Sequence, residues 1–249
     1  EAAAVEALAL AADAAAALLP GVRGLVTTLA APLATGLVTF PAVVGRGSVR
    51  LAKVDEAAFR MAGEAGTRSV IGVIDGSILT EHRRERIEAE DGVLVGDLAG
   101  DVLKVCVFAR HGTNDNVGRG FVKGFGMRRG AFASSVGHDS HNVIVVGTND
   151  ADMKVAVNRL IDLEGGFVVV DGGRVVAELA LPIAGLMSEA PFAEVHERLV
   201  GLRAAARDLG CTLQEAFLQL AFLPLPVIPH LKITDRGLVD VDRFEIVAA

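Results

Sequence analysis

The chain has 249 residues, 51% of them hydrophobic and 22% charged, with a formal net charge of −7 and a pI near 5.4. That composition belongs to a folded globular protein with length for one large domain or two modest ones, and it excludes a disordered chain and a general nucleic-acid binder, which needs a basic face. Two cysteines, Cys106 and Cys211, with no CxxC and no zinc-ribbon spacing, exclude a disulfide framework and point to a reducing cytoplasm.

The first residues, EAAAVEALALAADAAAALLPG, are alanine-rich and stop at Pro20-Gly21, so a helix to about Leu19 is expected. Glu6 and Asp13, with no basic start, argue against a signal peptide, and the apolar run is too short and too charged for a membrane span. Residues 1–34 therefore read as an Ala-rich helical segment or connector, and residues 35–249 as one α/β domain. Residues 22–48, punctuated by Gly, Pro and Thr, suggest small strands and turns. The absence of an initiator Met at Glu1 is what a truncated or partial product would show.

Residues 54–65 read as a short helix with Asp55 near its start, and residues 67–79 and 103–109 as strands. VIVVG at 143–147 is an apolar strand, after which Thr148-Asn149-Asp150 supplies cap chemistry for a helix to about Leu163, with Met153, Ala156, Val157 and Leu160 at helical spacing. Gly165-Gly166 stops that helix, and Asp171-Gly172-Gly173 predicts a hairpin between FVVV and RVVAELAL. Residues 192–209 form a helix with Val195, Leu199 and Leu202 on one face. Thr212 is read as the cap of another, LQEAFLQLAFL, closed by Pro224, Pro226 and Pro229. ITDRGLVDVDRFEIV suggests a turn and a final strand. The fold class is α/β (α+β), a mixed β-sheet layered with helices.

The unusual chemistry sits before VIVVG, where Ser134, Ser135, His138, Asp139, Ser140, His141 and Asn142 fall within nine positions. Three readings are open. His138 and His141 could begin a metal site, which would need further ligands, His111 among them. Asp139 and Ser140 could satisfy backbone amides in a structural turn. Or the segment could be a wall or lid of an active site. A Ser-His-Asp triad within this segment is disfavoured, because triad members come from separated segments.

Around it, Arg110, Arg119, Lys123, Arg128 and Arg129 face only Asp115 and Asp139, a solvated basic face or an anion-binding surface. The glycines of GRGFVKGFGMRRG could let backbone approach a ligand, though no Walker Lys-Ser/Thr ending follows. The chain has neither Trp nor Tyr, so stacking on a planar base would fall to groups such as Phe121, Phe125 and Phe132, whose default place is the core. Glu81 with His82, and Lys232 with Asp235 and Arg236, read as surface or turn groups.

Several segments together resemble the carboxy-terminal region of bacterial adenine deaminases of the amidohydrolase superfamily. They are RSVIGVIDGSILTEH, GDVLKVCVFARHG, GRGFVKGFGMRRGAFASSVGHDSHNVIVVGTNDADMKVAVNRL, GGFVVVDGGRVVAELALPIAGLMS and LAFLPLPVIPHLKITDRGLVDVDRFEIV. They span residues 67–247 in the family's order, and before residue 50 the likeness fades. The resemblance implies deamination of adenine to hypoxanthine and ammonia by a metal-bound hydroxide on a β/α barrel, the metal being manganese, iron or zinc, with carboxylate and histidine groups moving protons.

This chain departs from that pattern. Its six histidines, His82, His111, His138, His141, His196 and His230, form no HxH pair, and no train of strand-helix units is long enough to close a barrel. The resemblance thus implies a C-terminal domain that helps enclose an active site, without a complete catalytic set or a metal site of its own. Its candidate wall or substrate contacts are Ser134, Ser135, His138, Asp139, Ser140, His141, Asn142, His111 and Lys123. The implied partners are adenine, the barrel domain and further copies in a homo-oligomer, in the cytoplasm and in purine salvage, with no nucleic acid and no membrane. The alternative is a non-catalytic purine-binding, oligomerisation or scaffold module.

Overall fold

In the computed structural model, residues 45–248 are described, so the expected alanine-rich helix over 1–34 and most of the short strands expected over 22–48 lie outside the described residues. The elements are β1 (Gly66–Val73), β2 (Thr80–Glu90), β3 (Val93–Val95), β4 (Val102–Phe108), β5 (Val117–Lys123), β6 (Ala131–Ser134), β7 (Val143–Gly147), α1 (Asp150–Asp162), β8 (Gly166–Asp171), β9 (Arg174–Ala180), α2 (Phe192–Asp208), α3 (Ala216–Phe222), β10 (Leu231–Thr234), β11 (Gly237–Asp240) and β12 (Glu245–Val247). The first nine strands in chain order form one open sheet, β3-β2-β1-β5-β4-β7-β6-β8-β9, and the last three a small second sheet. Only the β1–β5 pair is parallel, so the large sheet is mixed, and no barrel closes among the described residues.

Strand alternation sorts the core into two faces. Leu103, Val105 and Val107 of β4 join Ile144 and Val146 of β7, Phe132 and Val169 in one cluster, covered by Leu202, Leu220 and the small sheet's Leu231, Ile233 and Leu238. Cys106, Phe108, Val143, Val145, Ala131 and Ala133 face the other way, against Met153, Ala156, Val157 and Leu160 of α1. Both faces of β4 and β7 are covered, which is why they read as unbroken apolar runs. Helix α1 starts where its sequence predicts: Asn149 Oδ1 accepts from Asp152 N at 2.8 Å. The β8–β9 hairpin forms around Gly172-Gly173, and Cys106 and Cys211 are both free and buried. No helix among the described residues is long and apolar enough to cross a membrane.

Several local expectations are corrected. Residues 54–65 hold only a 3-10 turn, Glu56–Phe59, capped by Asp55. Beyond it the chain extends, so Phe59 enters the α1-side core while Met61, two positions on, enters a separate cluster with Val70 and Ile87. The strand expected over 67–79 ends at Val73, and the charged segment TEHRRERIEAE is itself the long strand β2. Helix α3 begins at Ala216. Thr212 does not cap it but donates its backbone N–H to Phe125 O at 3.0 Å. The tail forms three short strands rather than one.

The glycine run lies within and just after β5, where it serves packing rather than a ligand. A Cβ on Gly118 would stand 1.8 Å from Thr234 O, and one on Gly120 2.9 Å from the Leu238 side chain, so the small sheet seats directly on this backbone. Phe121, Phe125 and Phe132 are fully buried. Lys232, expected at the surface, is also fully buried, its ammonium donating to Ile78 O at 2.8 Å and to Phe222 O at 3.1 Å at the end of α3. Burial pulls its pKa down to about 8.

Candidate functional site

Strand pairing brings the singled-out residues to one end of the large sheet. Phe108, at the end of β4, lies opposite Val117 of β5 and Val143 of β7, and Ser134, at the end of β6, lies opposite Ile144. The segments that leave β4 and β6 and enter β5 and β7 therefore share this edge. Lys123 closes β5 at the far end, opposite Val102, where it donates to Glu85 Oε1 at 3.2 Å. It is brought together with none of the other candidates.

The two serines point inward. Ser134 Oγ donates to Val136 O at 3.0 Å and accepts from Val136 N at 2.8 Å. Ser135 Oγ accepts from Gly166 N at 2.7 Å and donates to Gly185 O at 2.6 Å, joining the β6 exit to the start of β8 and to the loop between β9 and α2. Asn142 is also buried: its Oδ1 accepts from Arg110 N at 3.2 Å and its Nδ2 donates to Asp235 Oδ1 at 3.3 Å. Asn116 Nδ2 donates to the other oxygen of Asp235 at 3.2 Å.

Between these anchors the turn faces outward. Asp139, Ser140 and His111 are exposed, while His138 and His141 are half-buried. His138 stacks on Phe222, ring centroids 4.9 Å apart and planes 19° apart, and its Nδ1 lies 3.5 Å from Asp139 Oδ1. His141 takes a left-handed φ of 50° and closes the turn by donating its N–H to Gly137 O at 2.6 Å.

Hydrogen-bond partners assign the protons. Gly137 N–H donates to His141 Nδ1 at 3.2 Å, so the neutral ring carries its proton on Nε2. Burial holds the His141 pKa below the usual imidazole value, helped by the neighbouring His138 and Arg110. His111 Nε2 lies 2.7 Å from Ser140 O and must donate to it. The rings of His138 and His141 stand 5.5 Å apart.

Arg110, expected on a basic face, is 2% exposed and belongs to the interior. Its guanidinium donates to His141 O, to Ser48 O and Oγ at 3.2 and 2.9 Å, and to Ala184 O at 2.9 Å, with no carboxylate at ion-pair distance among the described residues. Desolvation lowers its pKa. Of the other basic residues, Arg128 and Arg129 are exposed, as a solvated face requires, Arg129 pairing with Asp171 at 2.8 Å, whereas Arg119 donates to Ala58 O at 2.7 Å. Sequence reasoning missed Arg110, Asn116 and Asp235 as members of this edge. For Arg110 a signal existed, since it follows the apolar run LKVCVFA without a break.

The donor set does not fit a metal ion. Among the described residues no group of three His, Cys, Asp or Glu side chains could hold one, and His141 Nδ1 and His111 Nε2 are committed to backbone groups. Among the clefts of the described residues, one of about 450 Å³ lies beside Lys104 and Asp150, and one of about 330 Å³ lies between α2 and α3, bordering the turn at Val136.

Residues 77–245 match the family model described as the adenine deaminase C-terminal domain. The chain is 65% identical over 202 residues to an adenine deaminase of Methylobacterium sp. (strain 4-46), covering 81% of this chain and 36% of that protein. It is 66% identical over 203 residues to the adenine deaminase of Methylobacterium nodulans, again covering 81% and 36%, and 58% identical over 204 residues to adenine deaminase 1 of Rhizobium meliloti (strain 1021), covering 82% and 36%. The chain thus spans little more than a third of the length of the curated relatives it matches. With a mixed open sheet, no barrel among the described residues and this match over most of its length, the chain belongs to the adenine deaminase C-terminal domain family.

Proposed function

We propose that this chain is the C-terminal part of an adenine deaminase, which converts adenine and water to hypoxanthine and ammonia, and that its polar sheet end forms one wall of the active site. The observation that carries this reading is the convergence of His111, His138 and His141 at a single outward edge, with His141 held neutral and its Nε2–H left to donate. A neutral donor beside a purine ring can orient a ring nitrogen without adding charge. His138, ordered by Phe222 and close to Asp139, supplies an imidazole that can exchange a proton with a bound molecule. Asp139 and Ser140 complete the wall, while Ser134, Ser135 and Asn142 hold it from behind. Lys123 plays no part in it. The divalent metal of the family's chemistry, manganese, iron or zinc, takes its ligands from the barrel domain of the complete protein, in a cytoplasmic homo-oligomer.

The competing reading, a non-catalytic purine-binding or scaffold module, draws on the internal satisfaction of Ser134, Ser135 and Asn142. One experiment separates them. In the complete enzyme, His138→Ala and His141→Ala should each lower kcat/KM for adenine by about 10²-fold, with the fold intact by circular dichroism. Unchanged turnover in both variants would sink the wall reading and leave the scaffold role.

A further inference from the structure

A second polar constellation lies on the β1–β2 pair, apart from the edge described above. Ser69 stands opposite Arg84 and Ile71 opposite His82, so all four share one face of the sheet, with Ser69 and His82 as diagonal neighbours. Ile71 belongs to the cluster that contains Leu231, Ile233 and Leu238, so this is the face on which the small sheet packs, and that packing delivers Asp240. His82 Nε2 lies 3.0 Å from Ser69 Oγ, His82 Nδ1 lies 3.5 Å from Asp240 Oδ2, and Arg84 donates to Ser69 Oγ at 3.1 Å.

The partners fix the direction of the protons. Arg84 can only donate and so occupies one lone pair of Ser69 Oγ, while the Asp240 carboxylate facing His82 Nδ1 can only accept, which favours the tautomer with its proton on Nδ1 and leaves Nε2 to accept from Ser69 Oγ. His82 then accepts at Nε2 and carries its proton on Nδ1, facing a buried carboxylate. This is the order a serine nucleophile, an imidazole base and an orienting carboxylate require, assembled from three separate strands. Ser69, Thr67, Arg68 and Arg84 line a cleft of about 280 Å³. Arg83 and Arg86 are paired with Glu81 and Glu88, whereas Arg68 and Arg84 have no carboxylate at ion-pair distance among the described residues. The cleft is therefore suited to a negatively charged molecule.

We propose that Ser69, His82 and Asp240 form a second catalytic site, an acyl-transfer centre for small carboxylic esters that carry a negative group. Ser69 Oγ attacks the ester carbonyl carbon as its proton passes to His82 Nε2, and the carbonyl electron pair moves onto oxygen beside the Arg84 guanidinium. Collapse of that intermediate breaks the bond to the leaving alkoxide, which takes the proton from His82. Water then repeats the sequence, releasing the free acid and restoring Ser69. Asp240, 3.5 Å from Nδ1, opposes the transient imidazolium charge.

The test is covalent labelling of the complete protein with a fluorophosphonate, followed by peptide mapping, with para-nitrophenyl succinate and acetate as substrates. An adduct on Ser69 is expected, absent in Ser69→Ala and formed about 10²-fold more slowly in His82→Gln. Arg84→Gln should remove a preference for the succinate over the acetate ester. A folded wild-type protein with no adduct on Ser69, or a labelling rate unchanged in His82→Gln, overturns the proposal. Mapping on the wild type decides the point even if Ser69→Ala fails to fold. Deamination of adenine should be unaffected in Arg84→Gln, which keeps this site distinguishable from the wall proposed above.

Discussion

The glycine run of β5 and the polar turn ahead of β7 are the two stretches whose composition stands out, and the protein uses them differently. The glycines disappear into packing, where Gly118 and Gly120 let the small sheet lie against the strand. The turn divides instead: Ser134, Ser135 and Asn142 spend their polar groups on backbone and side-chain partners indoors, while His138, Asp139 and Ser140 face out. Unusual composition marks a constraint, and burial decides whether that constraint is packing, fastening or chemistry.

The sharpest way to break this comparison is Gly118→Ala. Its Cβ would collide with the fixed Thr234 carbonyl, so a loss of more than about 3 kcal/mol is expected by urea unfolding. A near-neutral result would mean the small sheet does not seat on β5. Next is Arg110→Met, which strips partners from Ser48, Ala184 and His141 carbonyls and should cost about 2–3 kcal/mol. Comparable stability in the variant would return Arg110 to the surface group assigned to it by sequence.

Lys232 gives a smaller, pH-dependent effect. Its folded pKa is about 8 against an ordinary 10.5, so between those values the unfolded chain binds more protons. Stability should therefore rise with pH across that window, measured as the difference between wild type and Lys232→Met, and a difference independent of pH would show the ammonium to be solvated. The least change is expected for Asp139→Asn on the outward half of the turn, within about 0.5 kcal/mol by thermal unfolding. A larger loss would mean that the outer half also fastens the fold.

What could be read without coordinates followed from how completely a segment is covered. Strands β4 and β7, buried on both faces, and α1, with its Asn149 cap and one apolar stripe, are legible from their own residues. Strand β2 is not, because its side chains lie mostly toward solvent and only Thr80 and Ile87 are buried in it. The 3-10 turn at Glu56–Phe59 resembles a helix in sequence because Asp55 supplies a real cap to a segment whose next apolar residues diverge to two clusters. At the candidate edge the turn residues were legible as a group because they are adjacent in the chain. Arg110 and Asp235 were not, since their roles come from partners far away in sequence.

The amino-acid sequence by itself determined the fold class, the main strand and helix signals and the membership of the adenine deaminase C-terminal domain family, because periodicity, caps and long matching segments are local properties. Only the tertiary structure decided that Arg110 is interior, that Asn142 reaches Asp235 across 93 positions and that Lys123 lies at the opposite end from His138. The physical reason is that strand register and sheet packing set where a side chain points, and the cost of burying an unpartnered polar group then selects its partners.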